Sequence, residues 1–126
     1  MPLISSPYQA QGPFTNAHFS TIYSAKVRRI HGLVQKRERY TSPDEDFLDI
    51  DWSYALPDTL AHGSKHADKV AFLFHGLEGN AQRSYMRAMS KLLQQNGYDV
   101  AAVNFRGCSG TQNRLYRSYH SGETED

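Results

Sequence analysis

The pattern of apolar and polar positions divides the chain into a small number of elements. Val70-Ala71-Phe72-Leu73-Phe74 runs apolar without alternation and stops on His75-Gly76. Such a run predicts a strand buried on both faces, as in a parallel sheet covered by helices. Beyond Gly79 the period changes. Tyr85, Met86, Met89, Leu92 and Leu93 fall at helical spacing, Asn80 or Ser84 can cap the start, and Gly97 stands where a helix ends in a left-handed turn. Val100 to Phe105 then predicts a second buried strand. Strand, helix and strand in this order form a right-handed βαβ unit, so the two strands are expected to be parallel.

Upstream, Lys36 to Thr41 and Phe47 to Tyr54 read as strands, the second alternating Phe47, Asp49 and Asp51 against Leu48, Ile50 and Trp52. The turn-rich Ser42-Pro43-Asp44-Glu45-Asp46 between them predicts an antiparallel hairpin. Asn16 is placed to cap a short helix through Ser24, with Phe19, Ile22 and Tyr23 on one side. Residues 1–15 hold Pro2, Pro7, Pro13 and Gly12, which resist helix and sheet and predict an extended arm. Residues 57–68 are polar and rich in breakers and predict a loop. The expected organisation is an arm with a short helix over 1–35 and an α/β core over 36–126.

Composition narrows the classes. With 39% hydrophobic and 21% charged residues, the 126-residue chain reads as one globular domain or part of one. A net charge of +1 argues against a nucleic-acid protein. The single cysteine, Cys108, excludes an intramolecular disulfide framework and is compatible with a reducing compartment. The N-terminal residues lack the basic start and apolar core of a signal peptide, and no apolar run approaches the roughly 20 residues of a membrane span. A cytoplasmic location is the expectation.

The chemistry concentrates at the end of the 70–74 strand. A sharp His75-Gly76 turn can aim backbone N–H groups at a developing oxyanion, and Gly76 and Gly79 let backbone approach a substrate closely. Such a site also needs a nucleophile. Gly107-Cys108-Ser109-Gly110-Thr111 lacks the second glycine of a Gly-x-Ser-x-Gly elbow, so it reads as a turn. Cys108 reads as a small half-buried side chain. His62 and His66 are four residues apart, but Gly63 and Ser64 between them preclude a helix, and no metal is expected. Neither a dinucleotide fingerprint nor a Walker loop occurs, and no cofactor is implied. Lys26, Arg28, Arg29, Lys36, Arg37 and Arg39 form a basic stretch opposed only by Glu38. A charge-guarded edge strand is the favoured reading of it, and a phosphate-bearing surface or anionic lipid head group the alternative.

Six blocks in order carry a family resemblance: Pro13 to His18, Ser20 to Tyr23, Asp46 to Trp52, His75 to Gly79, Asn104 to Gly110, and Tyr119 to Thr124. Together they resemble the YheT-like branch of the α/β-hydrolase superfamily, over nearly the whole chain. The resemblance implies the N-terminal part of an α/β-hydrolase fold, with an antiparallel hairpin leading into a mostly parallel sheet flanked by helices. It also implies a serine nucleophile on an elbow after the fifth strand, followed by an Asp and a His. The chain ends at Asp126, before that elbow. Leu77 would donate one backbone N–H to the oxyanion, with His75, Gly76, Glu78 and Gly79 forming the substrate loop. The catalytic His comes last in such hydrolases, so His75 is read as structural.

Two functions of different class follow from the resemblance. One is the N-terminal portion of a serine hydrolase of carboxylic esters, acyl or lipid, with a small-molecule ester as partner and the chain alone inactive. The other is a non-catalytic remnant or interaction module of the same ancestry. Peripheral lipid contact, and self-association through an exposed strand edge at Val70 to Phe74, complete the expected partners.

Overall fold

The computed structural model describes residues 6–55 and 67–120. His62 and His66 lie outside them. A 3₁₀ turn over Gly12–Thr15 leads into α1, Ala17–Ile22, and the chain then widens into a π turn over Tyr23–Val27. Asn16 caps α1 as its sequence predicts, its Oδ1 accepting the Phe19 N–H at 3.0 Å. Phe14, Phe19 and Tyr23 pack ring on ring with centroids 5.2–5.8 Å apart. The segment continues along one helix of the core before entering the sheet.

That sheet has four strands: β1, Lys36–Thr41; β2, Phe47–Ser53; β3, Val70–Phe74; and β4, Asp99–Asn104. Their spatial order is β1-β2-β4-β3. The hairpin β1-β2 and the pair β2-β4 are antiparallel, whereas β3 and β4 are parallel, as a βαβ unit requires. The sheet is therefore mixed, with the hairpin feeding into the parallel pair. Helix α2, Ser84–Gln95, connects β3 to β4, and Gly97 follows it with φ +82°, the left-handed conformation expected at its end. Its start differs from expectation. Arg83 is the N-cap and makes no side-chain cap bond, because Asn80 Oδ1 accepts the Gln82 N–H and the Ser84 hydroxyl donates to the Ser24 carbonyl instead.

Central β4 is buried along its whole length, and its small Ala102 lets α2 approach. Met86 of α2 packs against Ala81 and Ala102, with Leu73 alongside. This covers one face of β3 only. Val70, Phe72 and Phe74 are 48%, 59% and 60% exposed, which corrects the expectation of a strand buried on both faces: β3 lies at the sheet edge, and α2 is the one described helix that packs on it.

The alternation along β2 is present with the polar face inward. Phe47, Asp49, Asp51 and Ser53 are buried, while Leu48, Ile50 and Trp52 are half-buried. Two buried carboxylates are tolerable here because each is paired with the cross-strand arginine of β1 in bidentate geometry: Arg37 with Asp51 at 2.6 and 2.9 Å, Arg39 with Asp49 at 2.8 and 3.0 Å. Arg39 also lies 3.7 Å over the Phe47 ring.

Candidate active site at the turn after β3

Past Phe74 the chain leaves the sheet at His75, which is only 5% exposed. Its Nε2 accepts the Phe105 N–H at 3.2 Å and its Nδ1 lies 2.8 Å from the Gly76 carbonyl. Acceptance at Nε2 puts the ring hydrogen on Nδ1, where it donates to Gly76. Both ring nitrogens are thereby occupied, and the imidazole bridges the ends of β3 and β4. An edge-on Phe105 ring 4.8 Å away and the Tyr119 ring at 6.1 Å enclose it. The His75 ring nitrogens are thus engaged by backbone groups rather than by another side chain.

Gly76 to Gly79 form a tight turn closed by the Gly79 N–H to the Gly76 carbonyl at 2.9 Å. Glu78 sits at φ +54°. A positive φ at the third position alone is the signature of a type II turn, and a side chain there costs roughly 1–2 kcal/mol relative to glycine. Gly79 cannot carry a side chain without movement: a Cβ would stand 2.8 Å from the Gly76 carbonyl oxygen and 3.1 Å from His75 Nδ1. Its glycine serves close backbone packing inside the turn.

The backbone donors of this turn divide unevenly. Gly76 N–H donates to the Tyr85 hydroxyl at 2.9 Å, Glu78 N–H to the Tyr119 hydroxyl at 2.8 Å, and Gly79 N–H closes the turn. Among the described residues, Leu77 N–H has no hydrogen-bond partner, and Leu77 itself is 85% exposed. One open donor therefore stands at the tip of a turn whose neighbours are tied down. Tyr119 is held by stacking on Phe105 at 5.1 Å, and Phe105 in turn stacks on Phe74 at 6.0 Å.

The loop after β4 occupies the other side of this cluster. Arg106, 3% exposed, forms a bidentate pair with Asp44 at 2.6 and 3.1 Å and reaches Asp46 at 3.5 Å. Burial disfavours charge on Asp46, but N–H groups of Arg114, Leu115 and Phe47 and the Asn113 amide outweigh it and hold the carboxyl below its ordinary value. Arg106 and the Ser42 hydroxyl lower Asp44 in the same way. Asn104 links the two sides, accepting the Ala81 N–H at 2.9 Å and donating to the Asp49 carbonyl at 3.0 Å. Sequence reasoning recognised Asp46 and Asn104 only as members of motif blocks and missed this network. Its one legible signal was the density of Asp and Asn beside turn residues, which favours side-chain to backbone bonding.

Ser109 and Cys108 lie in this loop. The Ser109 hydroxyl accepts the Thr111 N–H at 3.4 Å, and its carbonyl accepts from Arg37 at 2.7 Å. Burial pushes the Cys108 thiol up, against a hydrogen bond from Tyr119, so it stays protonated. Among the described residues no group of three or more His, Cys, Asp and Glu could hold a metal ion, and no helix is long and apolar enough to cross a membrane.

No family model matches the chain. Over 113 residues it is 37% identical to the Escherichia coli (strain K12) protein named "Putative esterase YheT", an alignment covering 90% of this chain and 32% of that protein. Over 125 residues it is 25% identical to "Embryogenesis-associated protein EMB8" of Picea glauca, covering 98% of this chain and 27% of that protein. The chain thus spans about a third or less of the length of the curated relatives it matches. With the hairpin, the βαβ unit and the turn after β3 in the order the motif blocks imply, the chain is similar along most of its length to a stretch of the YheT protein, and its mixed four-stranded sheet with flanking helices is consistent with part of an α/β-hydrolase fold.

Proposed function

We propose that this chain carries the oxyanion-donor turn of a serine hydrolase of carboxylic esters, acyl or lipid, with the Leu77 N–H as one of two donors. The second donor, the nucleophilic serine and its Asp and His come from residues beyond this sequence. One observation carries the reading: of the N–H groups from Gly76 to Gly79, those of Gly76, Glu78 and Gly79 have partners, and that of Leu77 has none among the described residues. A preorganised, unoccupied N–H at the C-terminal end of a strand is what stabilisation of a tetrahedral oxyanion needs. Relationship to a protein named as an esterase supports the same chemistry. The chain alone is proposed to have no turnover, since Ser109 stands in a turn outside any Gly-x-Ser-x-Gly elbow, its hydroxyl accepting the Thr111 N–H, and burial pushes the Cys108 thiol up, away from a reactive thiolate. A fluorophosphonate should leave it unlabelled, and stoichiometric labelling at Ser109 would overturn that part.

The turn geometry supplies the decisive test in the full-length protein. Proline is favoured at the second position of a type II turn, so Leu77→Pro deletes the N–H at little backbone cost, while Leu77→Ala keeps it. Loss of one donor is expected to lower kcat about 10²–10³-fold, with KM little changed in Leu77→Pro and both parameters near the parent in Leu77→Ala. Both variants must melt within a few degrees of the parent. Equal kcat in two equally folded variants removes Leu77 from the oxyanion site and leaves the turn as architecture.

A further inference from the structure

The basic stretch near the N-terminus divides in the fold. Lys36, Arg37 and Arg39 lie on β1 and pair with Glu38, Asp51 and Asp49. These charges guard an edge and are neutralised there. Arg28 and Arg29 precede β1 and run beside α2, and neither has an ion-pair partner among the described residues. Three side chains on one face of α2 hold this segment: Ser84 donates to the Ser24 carbonyl at 2.5 Å, Arg87 to the Ile30 carbonyl at 3.4 Å, and Lys91 to the His31 carbonyl at 2.6 Å. Carbonyls and the amides of Gln35 and Gln82 satisfy hydrogen bonds of Arg87 and Lys91 without cancelling their charge.

Between segment and helix lies an open groove of about 770 Å³, continuing past Arg28 to His31 into a hollow of about 400 Å³ that reaches Arg87. Ile30, Ala88, Met89 and Leu92 give it an apolar lining, with Met89 46% and Leu92 54% exposed. Arg28 and Arg29 line both hollows, Lys91 the larger and Arg83 and Arg87 the smaller, and among the described residues lining either hollow there is no carboxylate. Cations gathered along an apolar strip with no carboxylate among them repel one another until an anion arrives, and guanidinium forks match phosphate oxygens. We propose that this groove binds a phosphate-bearing amphiphile, its phosphate among Arg28, Arg29, Arg87 and Lys91 and its hydrocarbon chain along Met89 and Leu92. The site is separate from the ester chemistry proposed above, although the two meet at Tyr85, whose ring lines the groove and whose hydroxyl holds the Gly76 N–H.

The test is calorimetric titration of the full chain with decyl phosphate, decanol and inorganic phosphate at low ionic strength. Decyl phosphate is expected to bind at least tenfold more tightly than either of its halves. The double variant Arg28→Gln, Arg29→Gln should bring it to the level of decanol, and Met89→Ser towards that of inorganic phosphate. Cosedimentation with phosphatidylglycerol vesicles, but not with phosphatidylcholine vesicles, would assign the phosphate to a lipid head group. Tight decyl phosphate binding without cosedimentation would assign it to a soluble ligand. Decyl phosphate binding no tighter than decanol, or unaffected in a double variant with unchanged circular dichroism, overturns the proposal. Failure at Leu77 leaves this test untouched, because it reads binding without turnover.

Discussion

The Tyr119 hydroxyl accepts the Glu78 backbone N–H at 2.8 Å, across 41 residues of chain. Glu78 holds a left-handed φ of +54°, so the turn carries a strain that this bond and the Tyr85 hydroxyl on Gly76 help to offset. The two tyrosines also occupy the donors on either side of Leu77. They act as positioning residues, fixing which N–H remains open.

Removing one such hydroxyl is expected to loosen the turn without unfolding the protein. In Tyr119→Phe the ring can keep its stacking on Phe105, and only the hydrogen bonds of the hydroxyl are lost. A bond of this kind contributes about 0.5–1.5 kcal/mol. Amide exchange by NMR should therefore show Glu78 losing roughly twofold to tenfold of its protection, with Gly76 unaffected, while Tyr85→Phe does the reverse. Leu77 should exchange fast in the parent and in both variants. Strong protection of Leu77 in the parent would mean that its N–H is already taken.

Much of this arrangement could be read from the residues, and the rest depended on information that local pattern does not carry. The strand ending at His75, the helix bearing Met86 and Met89, the hairpin around Asp44 and the parallel pairing of β3 with β4 all follow from periodicity and turn chemistry. Burial was harder to read. Val70, Phe72 and Phe74 look like core residues in sequence, and their exposure is a consequence of β3 standing at the edge of the order β1-β2-β4-β3. Asp49 and Asp51 look like solvent residues, and their burial depends on Arg37 and Arg39 reaching them across a register only the folded hairpin sets. At the turn, His75, Gly76, Leu77, Glu78 and Gly79 were legible as a loop, and chain order marked His75 as structural. That Tyr85 and Tyr119 would claim two of the N–H groups was not legible, since the contacts span 9 and 41 residues and obey no short-range rule.

The carboxylates of the hairpin give the fold a defined response to acid. Arg106 holds Asp44, and Arg39 holds Asp49, below the ordinary carboxylate range. For Asp46 and Asp51 burial opposes charge but is outweighed, by backbone N–H groups and Asn113 at Asp46 and by Arg37 and Gln82 at Asp51. A group whose folded pKa lies below its unfolded value stabilises the fold fully above the unfolded value, about 4, and loses that contribution as pH falls towards the folded one. The melting temperature should be nearly level from pH 7 to 5 and fall steeply from pH 4 to 2. Asp46→Asn should lower it at pH 7 and shrink the further loss in acid, because the amide can no longer accept all the N–H groups that converge there. A melting temperature unchanged between pH 7 and 3 would show that these pairs contribute nothing net.

The two sheet edges predict how the chain behaves on its own. Edge β1 reads Lys-Arg-Glu-Arg-Tyr-Thr, and its charges oppose pairing with another strand. Edge β3 reads Val-Ala-Phe-Leu-Phe, with no charge, and presents Val70, Phe72 and Phe74 to solvent. An uncharged apolar edge is a template for a second strand, and three large side chains on one face add area that association would bury. The 126-residue chain is therefore expected to self-associate with rising concentration, with β3 at the contact. Sedimentation velocity from micromolar to hundreds of micromolar should show mass increasing with loading. Phe72→Lys places a charge in the middle of that edge, away from the Leu73 and Met86 packing, and should return the chain to monomer while its circular dichroism is retained. A parent chain that stays monomeric throughout, or association that Phe72→Lys leaves intact, would move the contact away from β3.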